Sequence, residues 1–357
     1  MKIAVLGGGN GGFAAAADFT EAGHEVRLWR TSATEVARQG KAIGVKDVRG
    51  QRSASPALVT TELAEAIAGA ALILAPAPAT THDDLAPRLA PLLEDGQVVF
   101  LTPGTLGTVI LARALHSHRP GARVAFAETG TLPWLARKHG PDLVAITVRA
   151  KRLPVGVFPL AMADHALVVI GAAFPGVIEP CGDALSGALM NAGPIIHPPL
   201  ITMNAGPLEH FPKWDIHKEG TQPSIRRVTD ALDAERVAVR EALGYGAPHF
   251  PLADHYAKDG PEWCYGRGSH DRLTDSGDWR ERIVLTEHRY MREDTRLGLS
   301  LIIDAGVAAG VATPLARAFL AIGSAICAED FLPSRTLAAC GLPSEATARM
   351  KVLRDGF

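Results

Sequence analysis

Apolar residues along this chain recur with two different periods, and the place where one gives way to the other divides it. Up to about Phe174, short β-rich runs alternate with alanine-rich stretches of helical spacing, and beyond Pro180 the β-rich runs largely stop. Lys2–Leu6, Glu25–Trp29, a run near Ala71–Leu74, Val98–Leu101 and Val124–Ala127 read as strands, and Leu143–Val148 with Gly156–Phe158 are expected to extend the same sheet. Helices fill the spaces between them, beginning with Phe13–Ala22. That alternation predicts an α/β domain with a doubly wound, mostly parallel sheet over residues 1–180, followed by an all-α domain over 181–357. In the second half, Pro223–Leu243 carries apolar Ile225, Val228, Leu232 and Leu243 opposite a charged face. Helical spacing resumes at Ile283 and continues through Leu299–Val307, Leu315–Ala328 and a short helix after Pro343. The polar, Gly- and Trp-containing segment Asp254–Asp278 reads as a long loop between helices, the kind of segment that often serves a site.

Composition narrows the class. With 357 residues, 47% hydrophobic and 21% charged, and a formal net charge of −2, the chain has material for two buried cores and no basic footprint for nucleic acid. No apolar run is long enough to span a bilayer, so neither a membrane nor a nucleic acid is an expected partner, and the cytoplasm is the expected compartment. Cys181, Cys264, Cys327 and Cys340 lie far apart without metal-ligand spacing, which predicts reduced structural thiols and no metal.

The first strand leads directly into Gly7-Gly8-Gly9-Asn10-Gly11-Gly12 and then a helix. This is the dinucleotide-binding (Rossmann) fingerprint in its required context. Gly7 permits the tight turn, Gly9 lets backbone approach a pyrophosphate, and Gly12 lets helix pack on strand. Asn10 and Gly11 stand at the helix start, where amides and dipole favour an anion. The second strand ends at Arg30-Thr31-Ser32, where an NAD-selective domain usually has an acid; a guanidinium and two hydroxyls favour NADP over NAD, unless Arg30 only stacks on the adenine. Pro76, after the third strand, should border the coenzyme crevice. Glu128, ending the Val124–Ala127 strand, either faces the nicotinamide ribose or substrate, or caps a helix.

His197 precedes Pro198 and Pro199, which disfavour helix for the residue before each, so the imidazole is expected at a kink or helix end facing a cleft; the alternative is a satisfied core histidine. Arg289 and Asp294 are five apart, which on an uninterrupted α-helix puts them on different faces. If both serve one site, the helix must open near Glu293. Further candidates for substrate contact are Asn204, His210 and Arg292, with Glu209, His217 and Lys218 nearby, though a place on the domain rim suits most of them as well.

With these pieces assembled, the chain resembles the octopine/nopaline (opine) dehydrogenase family. The carriers are Gly7 to Gly12, Glu128-Thr129 with Leu132-Pro133, Pro154-Val155-Gly156, His197-Pro198 followed by Asn204-Ala205-Gly206, Asp233-Ala234-Glu235-Arg236, and Arg289-Tyr290 with Glu293-Asp294. The resemblance implies a Rossmann domain, a helical domain and a cleft between them in which an amino acid is reductively joined to a 2-oxo acid with NADH or NADPH. It also implies His197, Arg289 and Asp294 as the catalytic set. One departure is that the family usually continues Glu-Asp with Val-Pro-Tyr-Gly, whereas this chain has Thr295-Arg296-Leu297-Gly298, without the proline that would break the helix. Two other functions share parts of this pattern: a hydroxyacid or ketopantoate-type reductase, and a nonenzymatic dinucleotide-binding sensor. The architecture also admits a homodimer through the helical domain.

Overall fold

A computed structural model describes all residues, 1–357. Twelve strands form two sheets. In chain order they are β1 (Lys2–Leu6), β2 (Glu25–Trp29), β3 (Ile43–Asp47), β4 (Gly50–Ala54), β5 (Leu58–Thr60), β6 (Leu72–Ala75), β7 (Val98–Leu101), β8 (Ala125–Thr129), β9 (Trp134–Lys138), β10 (Leu143–Arg149), β11 (Leu153–Phe158) and β12 (Ile178–Asp183). The larger sheet has the order β12-β11-β8-β7-β6-β1-β2-β5. Its six strands from β5 to β8 are parallel and run in the doubly wound order, reversing between β1 and β6. Ile3, Val5, Leu72, Leu74, Val98 and Phe100 are completely buried, as strands covered by helices on both faces require.

Beyond β8 the sheet turns antiparallel: β11 pairs with β8 in the opposite direction and β12 runs alongside β11. The sheet thus reaches Asp183, so the boundary expected at residue 180 falls inside its last strand. Leu143–Val148 does not extend this sheet, contrary to expectation. As β10 it lies in a second, four-stranded sheet of order β4-β3-β10-β9, packed on the helix Asn10–Glu21 and partly tied to it by Asp18, whose carboxylate accepts from Arg149 and from Trp134 Nε1. β3, β4 and β9 of that sheet left no clear mark in the apolar pattern because polar and small residues interrupt them.

The rest is helical, with Pro223–Ala242 and Pro314–Cys327 close to their expected limits. Ile283–His288 is not helical, however, and regular structure begins only at Arg289, just before the wide turn that starts at Tyr290. No helix is long and apolar enough to cross a membrane. The two halves are joined by buried polar contacts. Glu293 accepts from the Ala79 amide at 2.9 Å while Arg335 donates to the Ala79 carbonyl at 3.0 Å, and Asn191 donates to Thr105 Oγ1 at 3.0 Å.

Candidate active site

A cleft of about 290 Å³ opens at the carboxyl ends of β1 and β6, where the strand order reverses. Gly9, Asn10, Gly11 and Pro76 line it together with His197, Arg289 and Asp294. The glycines divide the labour as the fingerprint predicts. Gly7 has φ +124°, a conformation few other residues adopt, and a Cβ at Gly12 would overlap the Gly7 carbonyl. A Cβ at Gly9 would meet nothing within 4 Å, which leaves its backbone open to a ligand. The following helix, Asn10–Glu21, has no acidic residue in its first turn, so nothing competes with an anion there. This cradle fits a dinucleotide pyrophosphate.

At the end of β2, Arg30 is buried at 2% exposure. It lies against Gly8 and is held by Glu35 Oε2 at 2.7 Å and Gln39 Oε1 at 2.6 Å, with Nε unpartnered. Ser32 caps the next helix by accepting from the Glu35 amide, and Thr31 is exposed beside it. Lys138, at the end of β9, donates from Nζ to the Gly8 carbonyl, and its backbone amide donates to Asn10 Oδ1, both at 2.9 Å. Nothing in the spacing of the chain marks a lysine from a second sheet as reaching the glycine loop.

His197 does not sit at a helix end, which corrects the expectation from its two prolines. Gly193–Thr202 is a continuous helix with Pro198 and Pro199 inside it. Proline still removes two amide donors, but helical φ suits the ring and neighbouring helices hold the segment in place. The imidazole stacks on Tyr290, centroids 3.7 Å apart and 15° from parallel, and Nδ1 lies 2.8 Å from Asp294 Oδ2. Nε2 makes no protein hydrogen bond and is the nitrogen left for a ligand. Asp294 reaches this position because Tyr290–Gly298 is a π-helix. The Leu299 amide donates to the Asp294 carbonyl, five residues back, and Thr295 Oγ1 donates to the Tyr290 carbonyl at 2.9 Å. Hydrogen bonds of this i→i+5 kind widen the turn and bring residues five apart nearly into line. Arg289 and Asp294 therefore serve one cleft without the proline break, and the helix widens where it was expected to open.

Burial shapes the electrostatics. It holds His197 well below the usual imidazole range, helped by the Arg289 and Arg137 cations, so the ring is neutral. Burial also pushes the Asp294 carboxyl up to about 7, against the pull of Arg289. The Arg289 guanidinium is 47% exposed, and Glu293 steadies it at 2.8 Å.

Four other candidates lie outside the cleft. Glu128 does not face a ribose or substrate: it is fully buried under Gly104, accepting from the Leu106 amide and from Thr108 Oγ1. Asn204 is taken up by structure, donating to the Leu200 and Gly220 carbonyls and accepting from Trp214 Nε1. His210 borders a separate surface depression with Phe211 and Arg282. Arg292 pairs with Glu329 and donates to the Thr286 carbonyl. His217, named as a possible substrate contact, does line the cleft, which also takes in Arg137 and, from the segment expected to be a loop, His255, Tyr256, Trp263 and Tyr265.

Comparison with known proteins agrees with this architecture. The family described as "NAD/NADP octopine/nopaline dehydrogenase, alpha-helical domain" matches residues 180–327, and "NAD-dependent glycerol-3-phosphate dehydrogenase N-terminus" matches residues 2–108. The opine dehydrogenase of Arthrobacter sp. (strain 1C) is 27% identical over 356 residues, covering 98% of this chain and 97% of that protein. The solved structure of an octopine dehydrogenase with NADH and agmatine superposes with a TM-score of 0.68 at 18% identity, covering 99% of this chain and 98% of that one. A 2-dehydropantoate 2-reductase from Geobacter metallireducens GS-15 shares the fold at a TM-score of 0.61 and 15% identity, over 91% of this chain and all of that one.

Proposed function

We propose that the chain is a member of the octopine/nopaline dehydrogenase family of NAD(P)-dependent oxidoreductases and joins an amino acid to a 2-oxo acid by reductive condensation through an imine, a reading supported by its similarity to that family. The observation that carries this reading is the His197–Asp294 pair beside Arg289, facing the same cleft as the glycine turn. A nicotinamide coenzyme, when bound, supplies the hydride that reduces the imine carbon.

The chain's own residues prepare that carbon. Neutral His197 accepts at Nε2 a proton from the substrate ammonium, which frees the nitrogen lone pair to attack the oxo-acid carbonyl. Returning that proton to the hydroxyl of the tetrahedral adduct lets water leave and a protonated imine remain. Asp294 fixes the ring's orientation and stabilises the imidazolium between the two transfers. Arg289 holds a substrate carboxylate, with part of its fork exposed to the cleft.

On the coenzyme side the reading favours NADPH over NADH. Arg30 stands at the ribose end of the crevice with Lys138 close by, and the Glu35 carboxylate it holds is 55% exposed and can be displaced by a 2′-phosphate. The helical domain is also the surface through which a homodimer would form.

The test is oxidation of NADPH and NADH at neutral pH with a series of 2-oxo acids, each with and without amino acids. Turnover that requires both partners supports the condensation. Turnover with an oxo acid alone would replace it by the ketopantoate-type reading, which the shared fold favours as the second choice. Coenzyme binding with no turnover on any pair would leave the nonenzymatic sensor.

A further inference from the structure

Three enclosed nitrogens in the cleft have no protein partner: Arg137 Nε, His217 Nε2 and Trp279 Nε1. They are clustered. The Arg137 guanidinium lies 3.7 Å from the Trp279 ring centroid, and the His217 and Trp279 rings meet edge to face at 5.3 Å. The His217 ring is also 6.1 Å from that of His197, so the cluster adjoins the reacting centre. Enclosed polar nitrogens without partners are costly, and two beside the unpartnered Nε of one guanidinium indicate that a ligand's polar atoms complete them. Only one terminal nitrogen of Arg137 is engaged, with Glu281 at 2.9 Å and more weakly with Tyr290 Oη at 3.4 Å. The rest of its fork is free to bind a carboxylate.

The condensation brings together two carboxylates, and the cleft has one arginine for each. Arg289 is tied through Glu293 to the Ala79 amide, which places it against the turn after β6, on the coenzyme side. Arg137 is held instead from β9, stacked on Trp279, whose ring meets His217, and the cleft lining continues from there as a wall of Tyr256, Trp263, Tyr265 and Leu273. Much of that wall's polar capacity is already taken up within the protein. Trp263 Nε1 is used by the Phe250 carbonyl, Tyr265 Oη by Thr131 and the Leu132 carbonyl, and His255 Nδ1 by Ser269. Asp294 is the one carboxylate lining the cleft, and it is held by His197.

Resting on the condensation proposed above, we infer that Arg137, with His217 and Trp279, binds the carboxylate of the amino-acid substrate, and that the aromatic wall selects an apolar or aromatic side chain on it. A cationic side chain finds no free carboxylate there, and an acidic one would lose hydration without meeting a further cation, since Arg137 and Arg289 are the only arginines or lysines lining the cleft.

The experiment compares phenylalanine, methionine and leucine with arginine, lysine and glutamate as amino donors to one oxo acid, and repeats the best donor with Arg137→Met and Arg137→Lys. The apolar donors should have the higher kcat/KM, by roughly tenfold or more. Arg137→Met should raise KM for the amino acid by roughly ten- to a hundredfold, the loss expected for a charge-assisted pair, with KM for the oxo acid within about twofold and partial recovery in Arg137→Lys. Unchanged coenzyme affinity in both variants confirms that they are folded. Preference for arginine, lysine or glutamate, or a KM effect falling on the oxo acid, overturns the assignment while the reaction itself stands. Absence of amino-acid-dependent turnover in the parent protein is a different failure and removes the condensation. As a readout that does not depend on turnover, phenylalanine should perturb the tryptophan fluorescence of the coenzyme-saturated protein in a saturable way that Arg137→Met weakens; no such binding in the parent also overturns the assignment.

Discussion

Gly193 and Asp294 occupy one space. A Cβ on Gly193 would collide with Asp294 Oδ1, so the carboxylate that orients His197 sits where any other residue would have its side chain. Gly193→Ala should therefore displace Asp294 and reduce kcat by roughly tenfold or more, the order expected when a catalytic group moves by a fraction of an ångström or more. Coenzyme affinity should hold, because a Cβ on Gly193 would meet Asp294 and Asn191 and no residue of the glycine turn. Steady-state kinetics beside coenzyme titration distinguish the two effects.

His197→Asn removes the proton-transfer group while keeping polar bulk near Asp294. The expected loss in kcat is roughly a hundred- to ten-thousandfold, with coenzyme binding intact. Near-normal turnover in this variant would falsify the role given to His197.

The glycines of the first turn should separate folding from binding. Gly9 has backbone angles open to alanine and empty space at its Cβ, so Gly9→Ala should keep the melting temperature within a few degrees while weakening coenzyme binding. Gly12→Ala forces overlap with the Gly7 carbonyl and should destabilise the first domain by about 1–3 kcal/mol, as overpacking does. Calorimetry with and without coenzyme measures both.

Glu128 should make stability depend on pH. Burial raises its carboxyl from 4.5 to about 7, so between those values the folded protein keeps a proton that the unfolded chain has released. The folded state then binds more protons, and this contribution to stability falls as pH rises through that window and levels off above it. From 4.5 to about 7 the full effect is roughly 3 kcal/mol. Glu128→Gln should flatten the denaturation midpoint between pH 5 and pH 7, leaving the parallel contribution of Asp294; an unchanged slope would count against a protonated Glu128.

Arg30 and Glu35 set the coenzyme test. Glu35→Gln loosens the hold on the guanidinium and should tighten NADPH binding by several-fold up to about tenfold, with less effect on NADH. Arg30→Asp should abolish any preference for NADPH. If the ratio of the two dissociation constants is unmoved by both changes, Arg30 does not read the phosphate.

Much of the coenzyme half was legible in the chain because its signals are local. A β run, a glycine turn and a helix occur in order within the first 21 residues, and each glycine has a steric duty that other residues cannot perform. The proposed catalytic set was legible only through its resemblance to a known family, since neither the stacking of Tyr290 on His197 nor the widened turn beneath Asp294 leaves a periodic mark. Arg137 and Lys138 were invisible for a different reason. β9 is short and left no apolar pattern, and only its pairing with β10 places Arg137 at the cleft and Lys138 at the glycine loop. Glu128 shows the converse. The end of a strand was the right place to look, but its carboxylate turns inward, where the Leu106 amide and Thr108 hydroxyl are closer than any ligand.

The π-helix makes this site sensitive to the count of residues as well as to their identity. Each α-helical residue turns the chain by about 100°, so deleting a single residue between Arg289 and Asp294 would let the wide turn relax to ordinary pitch and swing everything after it around the axis. Arg289 would keep its seat and Asp294 would lose its approach to His197, although no side chain of the set had been altered. A surface loop absorbs such a deletion as slack, whereas here the extra residue in the turn holds acid and imidazole in register.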